Sequence, residues 1–270
     1  MMRGARVYRH GIIARTAHWL WTLAMLVLVM SGLQIFNAAP YLDASDKSNP
    51  AKRVLAFEAQ EMNGKPIGTT RILGVTIPTT HLFGYTDDGM GGESPRAFPA
   101  WLTLPGPQDL ADGRRWHLLF AWGLFGALVA YLISAAMRGK LRELVMRPDD
   151  FGKLLPMQLY YLRLRKEPPQ HGTYNPLQKL TYNVVLFVFF PLIVLTGLAL
   201  SPGVDAAAPW LTAVFGGRQF ARMWHFVLMA LLLGYFATHI VLVLTTGMWN
   251  NMRSMITGWF VIGEHDGVGP

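Results

Sequence analysis

The sequence predicts an all-α membrane protein built as a bundle of four transmembrane helices, and three observations carry this prediction. Of the 270 residues, 52% are hydrophobic and only 15% are charged, which is more apolar than a typical soluble domain. Four apolar runs contain no Lys, Arg, Asp or Glu and are long enough to cross a bilayer as helices. Taken together, one set of alternate segments outside these runs carries the whole excess of Lys and Arg over Asp and Glu, which indicates a fixed orientation in a membrane.

The four apolar runs are expected to form a single membrane domain over residues 1–270. The first run follows several arginines, as in a secretory signal peptide, but a histidine at its cytoplasmic edge favours a retained helix. The third run contains Pro191, which should kink its helix. The helices are predicted at residues 16–36, 116–137, 180–200 and 223–249.

The first two runs are separated by a long polar segment, residues 37–115, which is rich in Gly and Pro. Its pattern predicts short β-like stretches and turns, and an amphipathic helix only at residues 50–62. Connections of this length without a strong pattern are usually functional. We therefore expect 37–115 to be an insertion outside the membrane that faces a partner.

The charge distribution orients the chain. The N-terminus, residues 138–179 and the tail carry 14 basic and 6 acidic residues, whereas residues 37–115 and 201–222 carry 10 of each. The whole net charge of +8 therefore lies on one side, which the positive-inside rule assigns to the cytoplasm. Both termini are expected to be cytoplasmic and 37–115 periplasmic, and no nucleic-acid partner is needed to explain the basic charge.

The chain contains no cysteine, which excludes disulfides, Cys-ligated iron–sulfur clusters, covalently attached c-type haem and thiolate zinc sites. A redox centre on this chain must therefore use other ligands. The candidates are the histidines within or at the edge of an apolar run: His18, His117, His225 and His239.

The direction of each helix assigns a depth to these histidines. His225 and His239 are 14 residues apart, nearly four helical turns, so both rings leave one face of the helix about 21 Å apart along its axis. His117 opens the second run at the outer side, as His225 opens the fourth. His18 lies near the inner edge, as does His239. The depths predict two pairs, His117 with His225 and His18 with His239.

Two histidine pairs at two depths in a four-helix bundle are typical of two b-type haems, each with its iron bound by two neutral imidazoles. A single membrane histidine is more often a hydrogen-bonding group between helices, but four that sort into depth-matched pairs favour haem ligands. A di-metal site is disfavoured because no predicted span contains Asp or Glu.

Haem propionates need cationic partners at the two membrane edges, and glycines would let a backbone approach a porphyrin closely. The candidate propionate partners are Arg15 inside and Arg114, Arg115 and Arg222 outside. The candidate glycines are Gly32, Gly123, Gly126, Gly197 and Gly234. Interfacial snorkelling of each arginine and ordinary helix packing at each glycine are equally simple explanations.

Several motifs resemble the di-haem cytochrome b family, whose members are membrane subunits of thiosulfate reductase, nickel–iron hydrogenase and formate dehydrogenase type complexes. The matching features are RTAHW at the start of the first run, a later Ser31-Gly32, one histidine opening the second run, and two histidines fourteen apart on the fourth. The runs YNPLQKLTY and PLIVLTGLAL of the third helix also match.

The resemblance covers the four helices and the inner loop, and the length of 37–115 is more similar to the thiosulfate-reductase type branch. It implies the same ligand pairs as the depths do, with His18 and His239 on the inner haem and His117 and His225 on the outer one. It also implies a multi-pass protein of the bacterial inner membrane.

A membrane cytochrome without its own catalytic cofactor is expected to exchange electrons with a lipid-soluble carrier, and the resemblance implies a quinone site near the inner haem. Candidate residues at the inner edge are Asn175, Gln178 and Lys179, with His171 as a proton acceptor. The alternative is structural, because Asn175 and Pro176 would start a helix and Lys179 would anchor it.

The leading hypothesis is an electron-transfer subunit that connects a quinone pool with a periplasmic redox enzyme docked on 37–115. The resemblance implies that this partner is molybdopterin-dependent. The alternative is a self-sufficient oxidoreductase that reacts directly with superoxide or ascorbate, which would need an exposed haem edge in basic surroundings. A haem-free transporter would be expected to carry further ionisable groups within the membrane.

Overall fold

The structure is a computed structural model that describes residues 5–172 and 174–262, so the ends of the predicted domain 1–270 lie outside the described residues. The chain forms two compact units, which are taken separately below. Unit 1 comprises residues 1–20, 126–191 and 231–270. Unit 2 comprises residues 21–125 and 192–230.

Four helices among the described residues are long and apolar enough to span a membrane, so the chain is a multi-pass membrane protein, as predicted. They are α1 (Ile12–Asn37), α2 (Leu110–Met137), α3 (Pro176–Leu200) and α4 (Arg218–Thr245). Each begins 4 to 6 residues earlier than predicted, because the residues before each charge-free run, which include Lys or Arg, are also helical. At α2, for example, the Asp109 carboxylate accepts a hydrogen bond from the backbone N–H of Asp112 at 2.9 Å.

The third spanning helix changes its helix type in the middle. Val185–Phe189 forms a π-helical turn between the α-helical parts Pro176–Val184 and Phe190–Leu200. This turn ends two residues before Pro191, whose ring would clash with the carbonyl four residues earlier in a regular α-helix. The wider π turn relieves that clash. The proline predicted the position of the irregularity but not its kind.

The fourth spanning helix ends at Thr245, so the predicted end at residue 249 was wrong. Gly247 has a φ of 102°, in the left-handed region that favours glycine, and the helix cannot continue through it. A separate helix, α5 (Met248–Thr257), follows. Hydropathy alone could not show the break, since the sequence stays free of charge through Trp249.

The chain also contains β-structure, mainly within 37–115, so the all-α prediction was wrong for this part of the chain. The strands are β1 (Arg6–Tyr8), β2 (Tyr41–Asp43), β3 (Arg53–Met62), β4 (Lys65–Ile72), β5 (Val75–Pro78), β6 (Gly84–Asp87), β7 (Glu93–Arg96) and β8 (Trp259–Val261). In unit 2, β2-β3-β4-β5 form one antiparallel sheet in that order, and β6 and β7 form a second. Short helical segments of unit 2 are Ala100–Leu102, Pro202–Ala207 and Pro209–Val214.

The amphipathic helix predicted at residues 50–62 was wrong. Pro50–Lys52 is a single 3-10 turn, and the strand β3 follows it. β3 pairs with β4 through a tight turn in which Asn63 and Gly64 both have positive φ, 54° and 73°. An Asn-Gly pair with this geometry is a preferred hairpin turn and was the local signal for the strand.

The main core of unit 2 joins this β-structure to the end of α1. Phe36 of α1 lies 6.0 Å from Phe57 of β3 and 5.7 Å from Phe98, measured between ring centroids. Leu33 of α1 and Leu42 of β2 are buried in the same cluster. Burying each such side chain contributes about 2 kcal/mol. The segment 37–115 is therefore a folded extension of α1 and not a loose connection.

Unit 1 contains the loop between α2 and α3 together with both described ends of the chain. Three short helices lie in that loop: Leu141–Leu144, Pro148–Phe151 and Leu154–Tyr161. At the chain ends, β1 pairs antiparallel with β8. The two described ends therefore lie side by side.

Candidate functional site

In unit 1 the structure brings together His18 of α1 and His239 of α4. Their ring centroids are 6.0 Å apart, and the ring planes are inclined by 59°. Both side chains are half-buried. Trp19 packs edge-on against His18 at 5.2 Å, and Tyr235 lies 6.1 Å from His239. This is the inner pair that the helix directions predicted.

In unit 2 the structure brings together His117 of α2 and His225 of α4. Their ring centroids are 6.2 Å apart, and the ring planes are inclined by 61°. This is the predicted outer pair. The helix α4 thus supplies one histidine to each unit, and α3, as the sequence predicts, supplies none.

The spacing within each pair fits two imidazoles bound to opposite sides of one metal ion. A metal–nitrogen distance of about 2 Å on each side, plus about 1.1 Å from nitrogen to ring centre, gives a centroid separation of about 6.2 Å. Among the described residues, no group of three or more His, Cys, Asp or Glu side chains could hold a metal ion. Two imidazoles leave four iron positions for a porphyrin, so the donor sets fit b-type haem.

Each histidine of the outer pair is hydrogen-bonded to a hydroxyl group on another helix. Ser31 Oγ of α1 is 3.1 Å from Nδ1 of His117. Thr196 Oγ1 of α3 is 3.0 Å from Nδ1 of His225. Both hydroxyl groups lie in residues that are fully buried. Neither contact was predicted, because each joins positions far apart in the chain.

The glycine after each hydroxyl residue gives the histidine ring its room. A Cβ added to Gly32 would lie 3.3 Å from Cε1 of His117, and one added to Gly197 would lie 3.3 Å from Cε1 of His225. The hydroxyl–glycine pair is repeated on α1 and α3, as Ser31-Gly32 and Thr196-Gly197, but this pattern does not show which residue each pair contacts. The other candidate glycines, Gly123, Gly126 and Gly234, have no protein atom within 4 Å of an added Cβ.

Two of the candidate propionate partners have partly buried side chains. Arg15 Nη1 donates to the carbonyl of Ile256, and the buried Nε of Arg15 has no hydrogen-bond partner among the described residues. Arg222 donates to the carbonyl of Ala39, and its guanidinium lies 5.0 Å over the ring of Phe36. Arg15 therefore retains an unused buried donor, whereas Arg222 already contributes to the fold.

The other two candidates, Arg114 and Arg115, lie near the start of α2 and are exposed. Arg115 Nη1 is 2.7 Å from the carboxylate of Asp112, one turn earlier on the same helix. An exposed ion pair of this kind contributes little to stability. Both side chains are therefore weakly held by the protein, and their role as propionate partners remains a prediction.

Two of the proposed quinone-binding residues form the start of α3. The Asn175 side chain accepts from the backbone N–H of Gln178 at 2.9 Å, and the Gln178 side chain accepts from the backbone N–H of Asn175 at 3.1 Å. This reciprocal capping arrangement, with Pro176 in the first turn, satisfies N–H groups that a helix start otherwise leaves unpaired. Asn175 Nδ2 also donates to the hydroxyl of Tyr161 at 3.1 Å. The structural alternative therefore applies to both residues.

The remaining two quinone candidates differ in exposure. Lys179 Nζ is 2.9 Å from the carboxylate of Asp150, and the two side chains are only 13% and 11% exposed. The hydrogen bond from Lys179 lowers the pKa of Asp150. His171 is exposed, and its Nδ1 lies 2.9 Å from the carbonyl of Gly172. Lys179 thus anchors the inner loop to α3, while His171 is open to solvent.

Two aromatic groups of unit 1 were not among the predicted site residues. Tyr235 precedes His239 by one helical turn on α4 and packs beside it. Tyr174 and Tyr182 pack edge to face with ring centroids 5.4 Å apart, and burial raises the pKa of the Tyr174 phenol. The i, i+4 spacing of Tyr235 and His239 was the available signal for the first contact.

The chain is similar to known proteins over most of its length. A family model described as prokaryotic cytochrome b561 matches residues 9–258, a region that contains all four histidines of the two pairs. A relative from Azospira oryzae is 27% identical over 237 residues, which cover 85% of this chain and 86% of that protein. It is named a putative protein-methionine-sulfoxide reductase subunit, YedZ1. No solved structure matches the chain.

Proposed function

The chain belongs to the prokaryotic cytochrome b561 family of membrane haem proteins, and from this premise we propose that it carries two haem b groups and conducts electrons across the bacterial inner membrane. The proposed endpoints are a quinone pool and a periplasmic oxidoreductase. The observation that carries the proposal is the presence of one histidine pair in each unit, with ring centroids 6.0 and 6.2 Å apart.

In this proposal His18 and His239 hold the inner haem, and His117 and His225 hold the outer one. Bound haem iron supplies reversible one-electron transfer. The protein contributes neutral imidazoles, and it places them on spanning helices that restrict the access of water. One continuous helix, α4, carries a proposed ligand for each haem.

We assign the propionate partners in each unit from the contacts that the candidate arginines already make. In unit 1, the buried Nε of Arg15 is the donor that the protein leaves unused, so Arg15 is the proposed partner of the inner haem. In unit 2, Arg222, Arg114 and Arg115 are proposed for the outer haem. Of these three, Arg222 is the one held in place by the fold.

The quinone site is proposed in unit 1, near the inner histidine pair. Oxidation of a quinol releases two protons and two electrons, so the site needs a proton acceptor with access to water. The exposed His171 is the proposed acceptor. Asn175, Gln178 and Lys179 are proposed to shape the site through the start of α3, since their side chains already bond to other protein groups.

The partner is proposed to be a periplasmic, molybdopterin-dependent oxidoreductase. The Azospira relative is named as a subunit of a reductase, and for a reductase partner electrons would run outward from quinol. The proposed docking surface is the β-structure of 37–115. Its β4–β5 turn presents Ile72, Leu73 and Val75 with exposures of 47%, 77% and 66%, an apolar group of the kind found at protein interfaces.

Reduction by a quinol tests the proposal. The purified protein in lipid nanodiscs should show a b-type absorbance spectrum when a water-soluble short-chain quinol is added anaerobically. Dithionite serves as the control that reduces any haem regardless of a quinone site. Full reduction by dithionite with no reduction by the quinol would contradict the quinone-linked part of the proposal. Absence of a b-type spectrum with dithionite would contradict haem binding itself.

A further inference from the structure

The hydroxyl groups beside the outer histidine pair donate their own protons to backbone carbonyls. Ser31 Oγ is 2.6 Å from the carbonyl oxygen of Val27, one helical turn back on α1. Thr196 Oγ1 is 2.8 Å from the carbonyl of Leu192 and 3.0 Å from that of Ile193 on α3. A hydroxyl has a single proton to donate, and a carbonyl oxygen can only accept, so the proton of each hydroxyl is directed to a carbonyl of its own helix.

The proton in each histidine–hydroxyl contact must therefore come from the histidine ring. With its proton on a carbonyl, the oxygen of Ser31 is left to accept from Nδ1–H of His117, and the oxygen of Thr196 is left to accept from Nδ1–H of His225. A neutral imidazole carries one N–H, so Nε2 of each ring keeps its lone pair. That lone pair is the group that binds a metal ion.

The two contacts repeat one local design on two helices. On α1 and on α3, a hydroxyl residue bonds to its own preceding turn and is followed directly by a glycine that leaves space for the ring. One such hydroxyl–glycine pair contacts His117 of α2, and the other contacts His225 of α4. A repeated arrangement of acceptor and space is difficult to explain by helix packing alone.

We propose that Ser31 and Thr196 are positioning residues that hold both outer histidines as Nε2-binding imidazoles and set the reduction potential of the outer haem. The inference rests on the proposed function, because it requires a haem at the outer pair. A hydrogen-bond acceptor at Nδ1 makes Nε2 a stronger donor to iron and favours the ferric state. A neutral hydroxyl exerts this effect without placing a carboxylate in an apolar span.

Removing either hydroxyl group should raise the midpoint potential of one haem and leave the other unchanged. The variants are Ser31→Ala and Thr196→Val, which remove the oxygen with little change of shape. Midpoint potentials are measured by spectroelectrochemical titration of the full-length protein. The g-values of the ferric haems, measured by electron paramagnetic resonance, report the orientation of the axial rings. In both measurements the double variant should show a larger shift than either single variant, on the same haem.

Three matched variants separate the role of the oxygen from general effects. Ser31→Thr and Thr196→Ser keep a hydroxyl group and should retain the wild-type potentials. Thr181→Val removes a hydroxyl of the same kind from α3, where Thr181 donates to the carbonyl of Leu177 at 2.8 Å, and should shift neither haem. If Ser31→Ala loses the outer haem, retention of that haem in Ser31→Thr would still support the proposal.

Two results would overturn the inference while leaving the proposed function intact. One is a wild-type protein with two haems whose potentials and g-values are the same in Ser31→Ala and Thr196→Val. The other is an equal shift or loss in the hydroxyl-retaining variants, which would show that space and not hydrogen bonding matters. A wild-type protein without an outer haem would instead refute the proposed function.

Discussion

At the residue scale, the strongest contact among the predicted quinone residues is the ion pair of Lys179 and Asp150. Asp150 Oδ2 also accepts a hydrogen bond from the backbone N–H of Arg147 at 2.9 Å, so one carboxylate joins the inner loop to the first turns of α3. The pair is largely shielded from water, with side chains 13% and 11% exposed. It should therefore contribute more than an exposed ion pair does.

Replacement of Asp150 by Asn should destabilise the protein by about 1–2 kcal/mol at pH 7. The lowered pKa of Asp150 means that folding favours its deprotonated form, so the stabilisation is present above the ordinary carboxyl pKa and is lost as pH falls through the lowered value. Thermal melting at pH 7 and below pH 4 measures both effects. The neighbouring Asp149 is exposed, and Asp149→Asn is the control. Equal melting of the two variants at pH 7 would contradict the role of the pair.

The four candidate haem ligands could be predicted from sequence because a histidine in an apolar run is costly without a partner, and helix direction gives its depth. Ser31 and Thr196 could not be predicted in the same way. A hydroxyl in a helix usually satisfies itself on the preceding turn, as both residues also do, so nothing in their local sequence requires a histidine. Only the arrangement of α1, α2, α3 and α4 reveals the contact.

At the element scale, the β4–β5 hairpin is held by an unusual turn. Leu73 has a φ of 49° and Gly74 a φ of 86°, and the flanking residues Ile72 and Val75 are paired. Leucine in the left-handed region costs roughly 1 kcal/mol or more, and Asn is preferred there. A leucine that is 77% exposed gains little burial in return. The strain therefore points to a role for its side chain at the proposed docking surface.

The variant Leu73→Asn should be more stable than the wild type by about 0.5–1 kcal/mol, because Asn adopts the left-handed conformation at lower cost. For a unit of this size the melting temperature should rise by about 1–4 °C. Leu82 is 50% exposed and has no such backbone, so Leu82→Asn should show no increase. A lower melting temperature for Leu73→Asn would mean that the leucine contributes packing that outweighs the strain.

The secondary structure was predictable where a single physical constraint decides it. Apolar runs without charge identified all four spanning helices, since a span must bury its polar backbone in helical bonds. The β-structure of 37–115 was recognised only as short β-like stretches, and the reason is visible at β3. Its sequence RVLAFEAQEM lacks a clean alternation, and the Asn63-Gly64 turn was the stronger signal. The left-handed conformation of Gly247 ends α4, although the apolar sequence continues beyond this residue.

At the scale of the whole molecule, charge and chain ends agree on an even number of spans. The +8 excess lies in the termini and residues 138–179, and β1 at one end of the described chain pairs with β8 at the other. This pairing was not predicted, because a contact between sequence positions 6 and 261 leaves no local pattern. The pairing places the two described ends together, and the assignment of that side to the cytoplasm, with 37–115 outside, stays a prediction from the charge distribution.

The absence of cysteine from the sequence allows a direct test of this orientation. Met90, in a loop of 37–115, and Leu164, in the loop between α2 and α3, are 75% and 74% exposed. A membrane-impermeant maleimide added to cells with a permeabilised outer membrane should label Met90→Cys and leave Leu164→Cys unlabelled. Both variants should react once the inner membrane is disrupted. Labelling of Leu164→Cys alone in intact cells would reverse the assigned topology.

The most direct test of the central claim is the number of haems per chain in histidine variants, measured as pyridine haemochrome against protein concentration. The account predicts two haems in the wild type and in the surface variant His81→Ala, and one in each of His18→Ala, His239→Ala, His117→Ala and His225→Ala. A double variant within one pair should keep one haem, and a double variant across the pairs should keep none. A wild type with a single haem, or a within-pair double variant that loses both, would contradict the two-pair account.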